Sequence, residues 1–73
     1  MDSKTKIELL ADILDLESDE IDPDKKLEEY DEWDSVAVLS YIVMIDEKFG
    51  KAITASDIKR FVTIQDALDA MEE

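Results

Sequence analysis

The segment that decides the fold runs from Glu32 to Gly50 and reads EWDSVAVLSYIVMIDEKFG, the most apolar stretch of an acidic chain. Asp34 and Ser35 are residue types favoured at the start of a helix, and glycine is the residue most often found just past a helix end. The segment therefore predicts one helix of about four turns. Its Ser35 hydroxyl would lie at the positive end of the helix dipole, where an anion is favoured.

The apolar residues of this predicted helix fall on two sides of it. The side expected to face the core comprises Val38, Tyr41, Ile42, Ile45 and Phe49. A second stripe at helical spacing, beside Ser35, comprises Val36, Ser40, Val43 and Glu47. Because three-helix packing cannot cover every side of one helix, the second stripe is expected to reach solvent. The alternative is that Val36, Val43 and Met44 are core, since a helix that is apolar on most sides is usually buried.

A first helix is predicted from about Ser3 to Leu16. Its start carries the capping-box pattern Thr5-Lys6-Ile7-Glu8, with Ser3 as a rival cap. Apolar residues then recur at helical spacing, at Ile7, Leu10, Ala11 and Leu14, with Leu9 and Ile13 widening the stripe.

The C-terminal part predicts one short and one longer helix. Thr54 or Ser56 can cap a brief helical turn after the connector that follows Gly50. Thr63 is the predicted cap of a final helix over 64–71, with Asp66 at its third position.

Residues 17–34 are predicted to form a long loop, with one helical turn after Asp22-Pro23. Apolar residues at irregular spacing would pin it to a core, at Leu16, Ile21, Leu27, Tyr30 and Trp33. Eleven of the 21 acidic residues lie between Asp15 and Asp34. The sequence therefore predicts an all-α fold over a single domain, 1–73: a small up-down bundle of three main helices and one short helix, with a long first loop.

The formal net charge of −13 on 73 residues limits the choice of partners. Such a charge repels nucleic acid and anionic membrane surfaces, and it favours proteins with basic patches. No signal peptide or membrane span is visible in the sequence, which predicts a soluble, cytoplasmic protein. We also expect a monomer.

Catalytic and metal-binding functions find little support. The chain has no His and no Cys, so the familiar bases, nucleophile activators and soft metal ligands are missing. An EF-hand loop needs Gly at its sixth position and Glu at its twelfth, whereas a loop starting at Asp15 has Glu20 and Lys26 there. We expect neither an enzyme nor a dedicated metal site.

Trp33-Asp34-Ser35-Val36 resembles the attachment motif of the acyl carrier proteins, with Val36 in place of the usual Leu. The segment 46–50, which reads DEKFG, resembles the acidic end of the second helix of that family. The resemblance covers essentially the whole chain. It implies that Ser35 carries 4′-phosphopantetheine, added from coenzyme A by a separate phosphopantetheinyl transferase. It also implies that Asp34 orients the site for the transferase and its metal-bound coenzyme A.

By the same resemblance the chain is a non-catalytic carrier of acyl groups held as thioesters. It would serve acyl-loading and acyl-processing enzymes of fatty acid, polyketide or related lipid and secondary-metabolite biosynthesis, through their basic docking patches. The docking residues implied are Val36, Ser40, Val43 and Glu47, flanked by Met44 and Asp46. The family's own chemistry would come from the prosthetic thiol, because this chain has no Cys.

Two positions depart from the family pattern. Many fatty-acid carriers have acids two and five residues after the serine, where this chain has Ala37 and Ser40. This favours a specialised carrier of a polyketide, modified-lipid or aminoacyl pathway. An aminoacyl or peptidyl carrier, and a non-acylated interaction module with a carrier-like bundle, are the alternatives.

Overall fold

The computed structural model describes residues 2–71. Four helices follow one another along these residues: α1 (Ser3–Leu14), α2 (Ser35–Phe49), α3 (Ala55–Ile58) and α4 (Ile64–Asp69). Residues 2–71 form no β-strand, which confirms the all-α prediction. Two of the helices are long and two are short, because α4 ends at Asp69 and not at Met71 as predicted.

The start of α1 differs from the prediction. Asp2 is the N-cap, and its Oδ1 accepts a hydrogen bond from the Thr5 N–H at 2.8 Å. This bond lowers the pKa of the Asp2 carboxyl. The predicted capping box at Thr5, and the rival cap at Ser3, are therefore wrong, because the Asp2 carboxylate takes the cap one position before Ser3.

The end of α1 also comes earlier than Leu16. Asp15 adopts a left-handed conformation with φ 58°, which stops the helix at Leu14. Asp tolerates this region better than most residues with a Cβ. The Leu16 N–H then donates to the Ala11 carbonyl at 2.9 Å, which closes the last turn.

Helices α1, α2 and α4 meet in one core. Its largest fully buried side chains are Leu10, Leu14, Tyr41, Ile45, Ile64 and Met71. The Tyr41 hydroxyl donates to the Ala67 carbonyl at 2.6 Å and so ties α2 to α4. Burial raises the pKa of Tyr41. The Tyr41 ring also packs edge-to-face on Trp33 and Phe61, with ring centroids 5.8 and 5.9 Å away. Tyr41 thus contacts the loop before α2, the segment after α3, and α4.

The long loop is fixed to residues 62–65, where the connector after α3 meets the start of α4. The Leu27 N–H donates to the Val62 carbonyl at 2.9 Å, and the Ile64 N–H donates to the Lys25 carbonyl at 2.9 Å. The Gln65 N–H donates to the Pro23 carbonyl at 3.0 Å. These bonds, which join residues far apart in sequence, hold the loop against the end of the connector between α3 and α4.

Within the loop, helical turns occur at Ser18–Glu20 and Leu27–Glu29 and not directly after Pro23 as predicted. The reason is local: the Asp22 carboxylate accepts from the Asp24 N–H at 3.0 Å, which makes a tight turn instead. Among the predicted apolar anchors Ile21, Leu27 and Tyr30 are buried, and Leu16 and Trp33 are partly buried against the core.

Of the two caps predicted for the short helix, Thr54 is the N-cap and Ser56 is not; the cap predicted for the final helix, Thr63, is confirmed. Thr54 caps α3 and Thr63 caps α4, each with an Asp at the third position of a capping box. Gly50, with φ 66°, ends α2 where the sequence predicted.

Candidate functional site

Ser35 is the first residue of α2, and its side chain is exposed. Asp34 is the N-cap: its Oδ1 accepts from the Ala37 N–H at 3.0 Å, and its carbonyl accepts from the Val38 N–H at 3.0 Å. The first amides of a helix have no partner within it. The Asp34 carboxylate and carbonyl thus accept from the N–H groups of Ala37 and Val38. The N–H groups of Ser35 and Val36 remain beside the Ser35 hydroxyl.

Core contacts hold this helix start in place from both sides. Before Ser35, the Trp33 N–H donates to the Tyr30 carbonyl at 3.1 Å, and the Trp33 ring packs on Tyr41. After it, the Ala37 side chain is 3% exposed. The exposed hydroxyl is therefore presented on a rigid support, between a buried residue and a ring packed on the core.

An apolar face lies along α2 beyond Ser35. We call it the α2 solvent face, and it consists of Val36, Leu39 and Val43, which are 69%, 63% and 53% exposed. Ser40 and Glu47 are exposed beside it, and Asp46 is exposed near its far end. Leu39 was absent from the predicted stripe, although its spacing of three from Val36 and four from Val43 indicated it.

Met44, which was predicted to flank the docking stripe, is buried, and so is Ala37, one of the two departures from the family pattern. Met44 is 8% exposed and contributes mainly to the core, because it lies three residues after the fully buried Tyr41. Its edge still reaches a shallow hollow of about 350 Å³ lined by Leu39, Ser40, Val43, Met44, Glu47 and Lys48. Ala37 is also buried. Of the two departures from the family pattern, only Ser40 therefore changes the exposed surface.

A deeper cleft opens near the same helix start. We call it the α2–α3 cleft; its volume is about 510 Å³ and it is lined by Lys26, Leu27, Glu28, Trp33, Val38, Ile58, Lys59, Phe61 and Val62. Val38 lies three residues after Ser35, so the two are neighbours on the helix surface. Ser35 thus lies between an exposed apolar face and a partly enclosed cleft.

The chemistry open to the site itself is narrow. Within residues 2–71 no group of three or more acids converges as a metal site would require. None of the helices in that part of the chain is long and apolar enough to cross a membrane. An exposed hydroxyl at a helix N-terminus is suited to carrying a phosphate ester, since the helix dipole and outward N–H groups stabilise the negative charge.

Comparison with known proteins decides the family. The sequence model described as a phosphopantetheine attachment site matches residues 7–71. The chain belongs to the acyl carrier protein family. It is 28% identical over 65 residues to an acyl carrier protein of Micrococcus luteus, covering 89% of this chain and 80% of the relative. It is 29% identical over 62 residues to an acyl carrier protein of Myxococcus xanthus, covering 85% and 78%. No solved structure matches the chain significantly.

Membership of this family implies a 4′-phosphopantetheine prosthetic group and interaction with a phosphopantetheinyl transferase and biosynthetic enzymes. Acyl carrier proteins are generally non-catalytic carriers. The start of α2 fits the group: it offers an exposed hydroxyl for the phosphodiester, two amides beside it, and a cleft of about 510 Å³ within one helical turn. When bound, the group supplies the thiol that a chain without Cys lacks.

Proposed function

We propose that Ser35 is the attachment residue and that the protein carries acyl groups as thioesters on the arm bound there. The observation that carries this proposal is the exposed Ser35 hydroxyl at the capped N-terminus of α2. A phosphodiester on this oxygen lies in the positive field of a helix of 15 residues. The Asp34 carboxylate holds the first turn in register, and in the transferase complex it would orient the metal-bound coenzyme A.

The α2 solvent face is the proposed docking surface for the transferase and the acyl-processing enzymes. Three exposed apolar side chains in a row are unusual on a small acidic protein, and such patches mark interaction sites. Exposed Asp46 and Glu47 lie at one end and exposed Asp31 and Glu32 lie in the loop before Ser35. A complementary partner has an apolar centre with basic groups at both ends. Its affinity should fall as salt is added.

The proposed pathway is a specialised one. Ser40, five residues after Ser35, is exposed on the docking side and is uncharged, so partner contacts along the middle of α2 rest on apolar side chains. This supports a carrier in polyketide, modified-lipid or aminoacyl metabolism over one in general fatty acid synthesis.

The exposed α2 solvent face also favours a second candidate, an interaction module that binds a protein partner without modification. This candidate predicts that changing Ser35 has no effect on function, whereas changing Val36 or Val43 abolishes binding.

The test is loading by a broad-specificity phosphopantetheinyl transferase with coenzyme A and Mg²⁺, followed by intact mass. We expect the wild-type protein to gain the mass of the prosthetic group and Ser35→Ala to gain none. Ser3→Ala is the matched control, because Ser3 is the first residue of α1 and also follows an Asp N-cap. It should load like the wild type. An unchanged wild-type mass with several transferases, or full loading of Ser35→Ala, would contradict the proposal.

A further inference from the structure

Three aromatic rings lead from the connector after α3 to the start of α2. The Tyr41 ring packs edge-to-face on Trp33, with centroids 5.8 Å apart and planes at 79°, and on Phe61, at 5.9 Å and 80°. Both distances lie in the range that aromatic pairs prefer. We call these three residues the aromatic cluster. Only Asp34, the N-cap of α2, separates Trp33 from Ser35, so the cluster ends directly before the attachment hydroxyl.

The Phe61 end of the cluster is held by backbone bonds outside α2. The Phe61 N–H donates to the Ile58 carbonyl at 2.9 Å. The next residue, Val62, is bound at both of its backbone groups. Its N–H donates to the Asp66 carboxylate at 2.8 Å, and its carbonyl accepts from the Leu27 N–H at 2.9 Å. The position of the Phe61 ring is therefore set by the long loop, the connector and α4.

The Trp33 end is held by fewer contacts. The Trp33 N–H donates to the Tyr30 carbonyl at 3.1 Å, and the Trp33 side chain is partly buried against the core. Tyr41, between the two rings, is fully buried, and its hydroxyl donates to the Ala67 carbonyl at 2.6 Å. Because close-packed interiors transmit displacements, a shift of the Phe61 ring is passed to Trp33 through Tyr41.

We propose that Phe61 is a positioning residue for loading, and that its ring, acting through the aromatic cluster, fixes the direction of the Ser35 hydroxyl. This inference rests on the proposed attachment at Ser35. In loading, the Ser35 oxygen loses its proton and bonds to a phosphorus of coenzyme A, while the pyrophosphate bond breaks and the adenosine bisphosphate part leaves. Because the oxygen must approach that phosphorus in line, a small misplacement of the helix start lowers the rate.

The experiment measures the rate of loading of the full chain by a broad-specificity transferase with coenzyme A and Mg²⁺, over a range of carrier concentrations. Phe61→Leu removes the ring and keeps an apolar side chain, and Phe61→Tyr keeps a ring. Phe49→Leu is the matched control, because Phe49 is buried at the far end of α2 and lies outside the aromatic cluster. Urea unfolding first establishes that each variant is folded in the assay. If Phe61→Leu does not fold, Phe61→Met takes its place.

We expect Phe61→Leu to load with a kcat about tenfold below the wild type and an unchanged KM, because the lost contact acts on the reacting oxygen and not on docking. Phe61→Tyr should keep the wild-type kcat. Phe49 is more buried than Phe61, so Phe49→Leu should lose at least as much stability and still keep the wild-type kcat. The emission of Trp33, the only tryptophan in the chain, should shift in Phe61→Leu and not in Phe49→Leu.

Each other outcome has a defined meaning. If no mass is added to the wild type, the attachment proposal fails and this inference fails with it. If the wild type loads but Phe61→Leu and Phe49→Leu have the same kcat, this inference alone is overturned. A raised KM at unchanged kcat in Phe61→Leu also overturns it, because Phe61 would then belong to the surface that the transferase contacts. So does a low kcat in Phe61→Tyr, or an unchanged Trp33 emission in Phe61→Leu.

Discussion

Two Asp-Ser pairs begin helices in this protein, and their backbones are almost alike. At α1 the Asp2 carboxylate accepts from the Thr5 N–H at 2.8 Å, and at α2 the Asp34 carboxylate accepts from the Ala37 N–H at 3.0 Å. Both serines are exposed and are the first residues of their helices. Local capping geometry therefore does not distinguish Ser35 from Ser3.

The difference lies in what surrounds each serine. Ser3 is followed by polar residues, with Lys4 and Thr5 exposed, and it lines a cavity of about 290 Å³. Ser35 is followed by the buried Ala37, is preceded by a ring packed on Tyr41, and lies beside the α2 solvent face. A buried residue two positions later, a ring packed on the core and an exposed apolar face accompany Ser35 and not Ser3, whereas a cavity lies near both serines. The surface around the hydroxyl, and not the cap itself, is therefore what sets Ser35 apart from Ser3.

The rigid support is the first feature to test. Tyr41→Phe removes the hydroxyl that bonds the Ala67 carbonyl and leaves a buried acceptor unpaired. We expect the free energy of unfolding in urea to fall by about 1–3 kcal/mol. Tyr30→Phe is the control, because the Tyr30 hydroxyl bonds the Asp22 N–H and the Glu20 carbonyl in a partly buried position. If Tyr41→Phe lowers the free energy of unfolding no more than Tyr30→Phe does, the hydrogen bond from Tyr41 to Ala67 is not what holds the core beneath Trp33.

The apolar face gives the next effect. Leu39→Ser removes a side chain that is 63% exposed, so the free energy of unfolding should change by no more than about 0.5 kcal/mol. The KM for transferase loading should rise about tenfold with kcat unchanged, as loss of about 1.4 kcal/mol of docking contact requires.

Val62→Ser is the control for this change, because Val62 is 56% exposed but lies outside α2. Its KM should stay at the wild-type value. Equal increases for the two variants would mean that general surface hydrophobicity, and not the α2 solvent face, governs docking.

The two N-caps, Asp2 and Asp34, allow the closest comparison between the two helix starts. Asp2→Ala and Asp34→Ala should each lower the free energy of unfolding by about 0.5–2 kcal/mol, because each removes one N-cap acceptor. Only Asp34→Ala should slow loading of Ser35. Asp34→Asn keeps the capping oxygen but removes the charge, so it should retain stability and still load slowly. If Asp34→Asn loads at the normal rate, Asp34 acts only as the N-cap of α2, and its charge has no part in loading.

Sequence patterns were sufficient where the controlling interactions are local. Asp34 and Gly50 mark the two ends of α2, and Thr63 with Asp66 begins α4, because caps depend on residues within one turn. The same local reasoning was wrong at α1, where the Asp2 carboxylate outcompetes the hydroxyl caps that the pattern favoured.

Two features of the site could not be predicted from the sequence. Helix α2 is apolar on most sides, so its periodicity did not decide whether Met44 is buried. The α2–α3 cleft depends on backbone bonds between residues 25–27 and 62–64, which no local pattern contains. Both features depend on how segments that are distant in the sequence pack against each other.

The most direct test of the account is the mass of the protein isolated from its native cells, with fragmentation to locate any modification. If Ser35 is the attachment residue, the chain is heavier by one 4′-phosphopantetheine, with the added mass on the fragment that contains Ser35 and none on the fragment that contains Ser3. An unmodified chain under conditions where the cell's other carriers are loaded, or a modification on another residue, would contradict it.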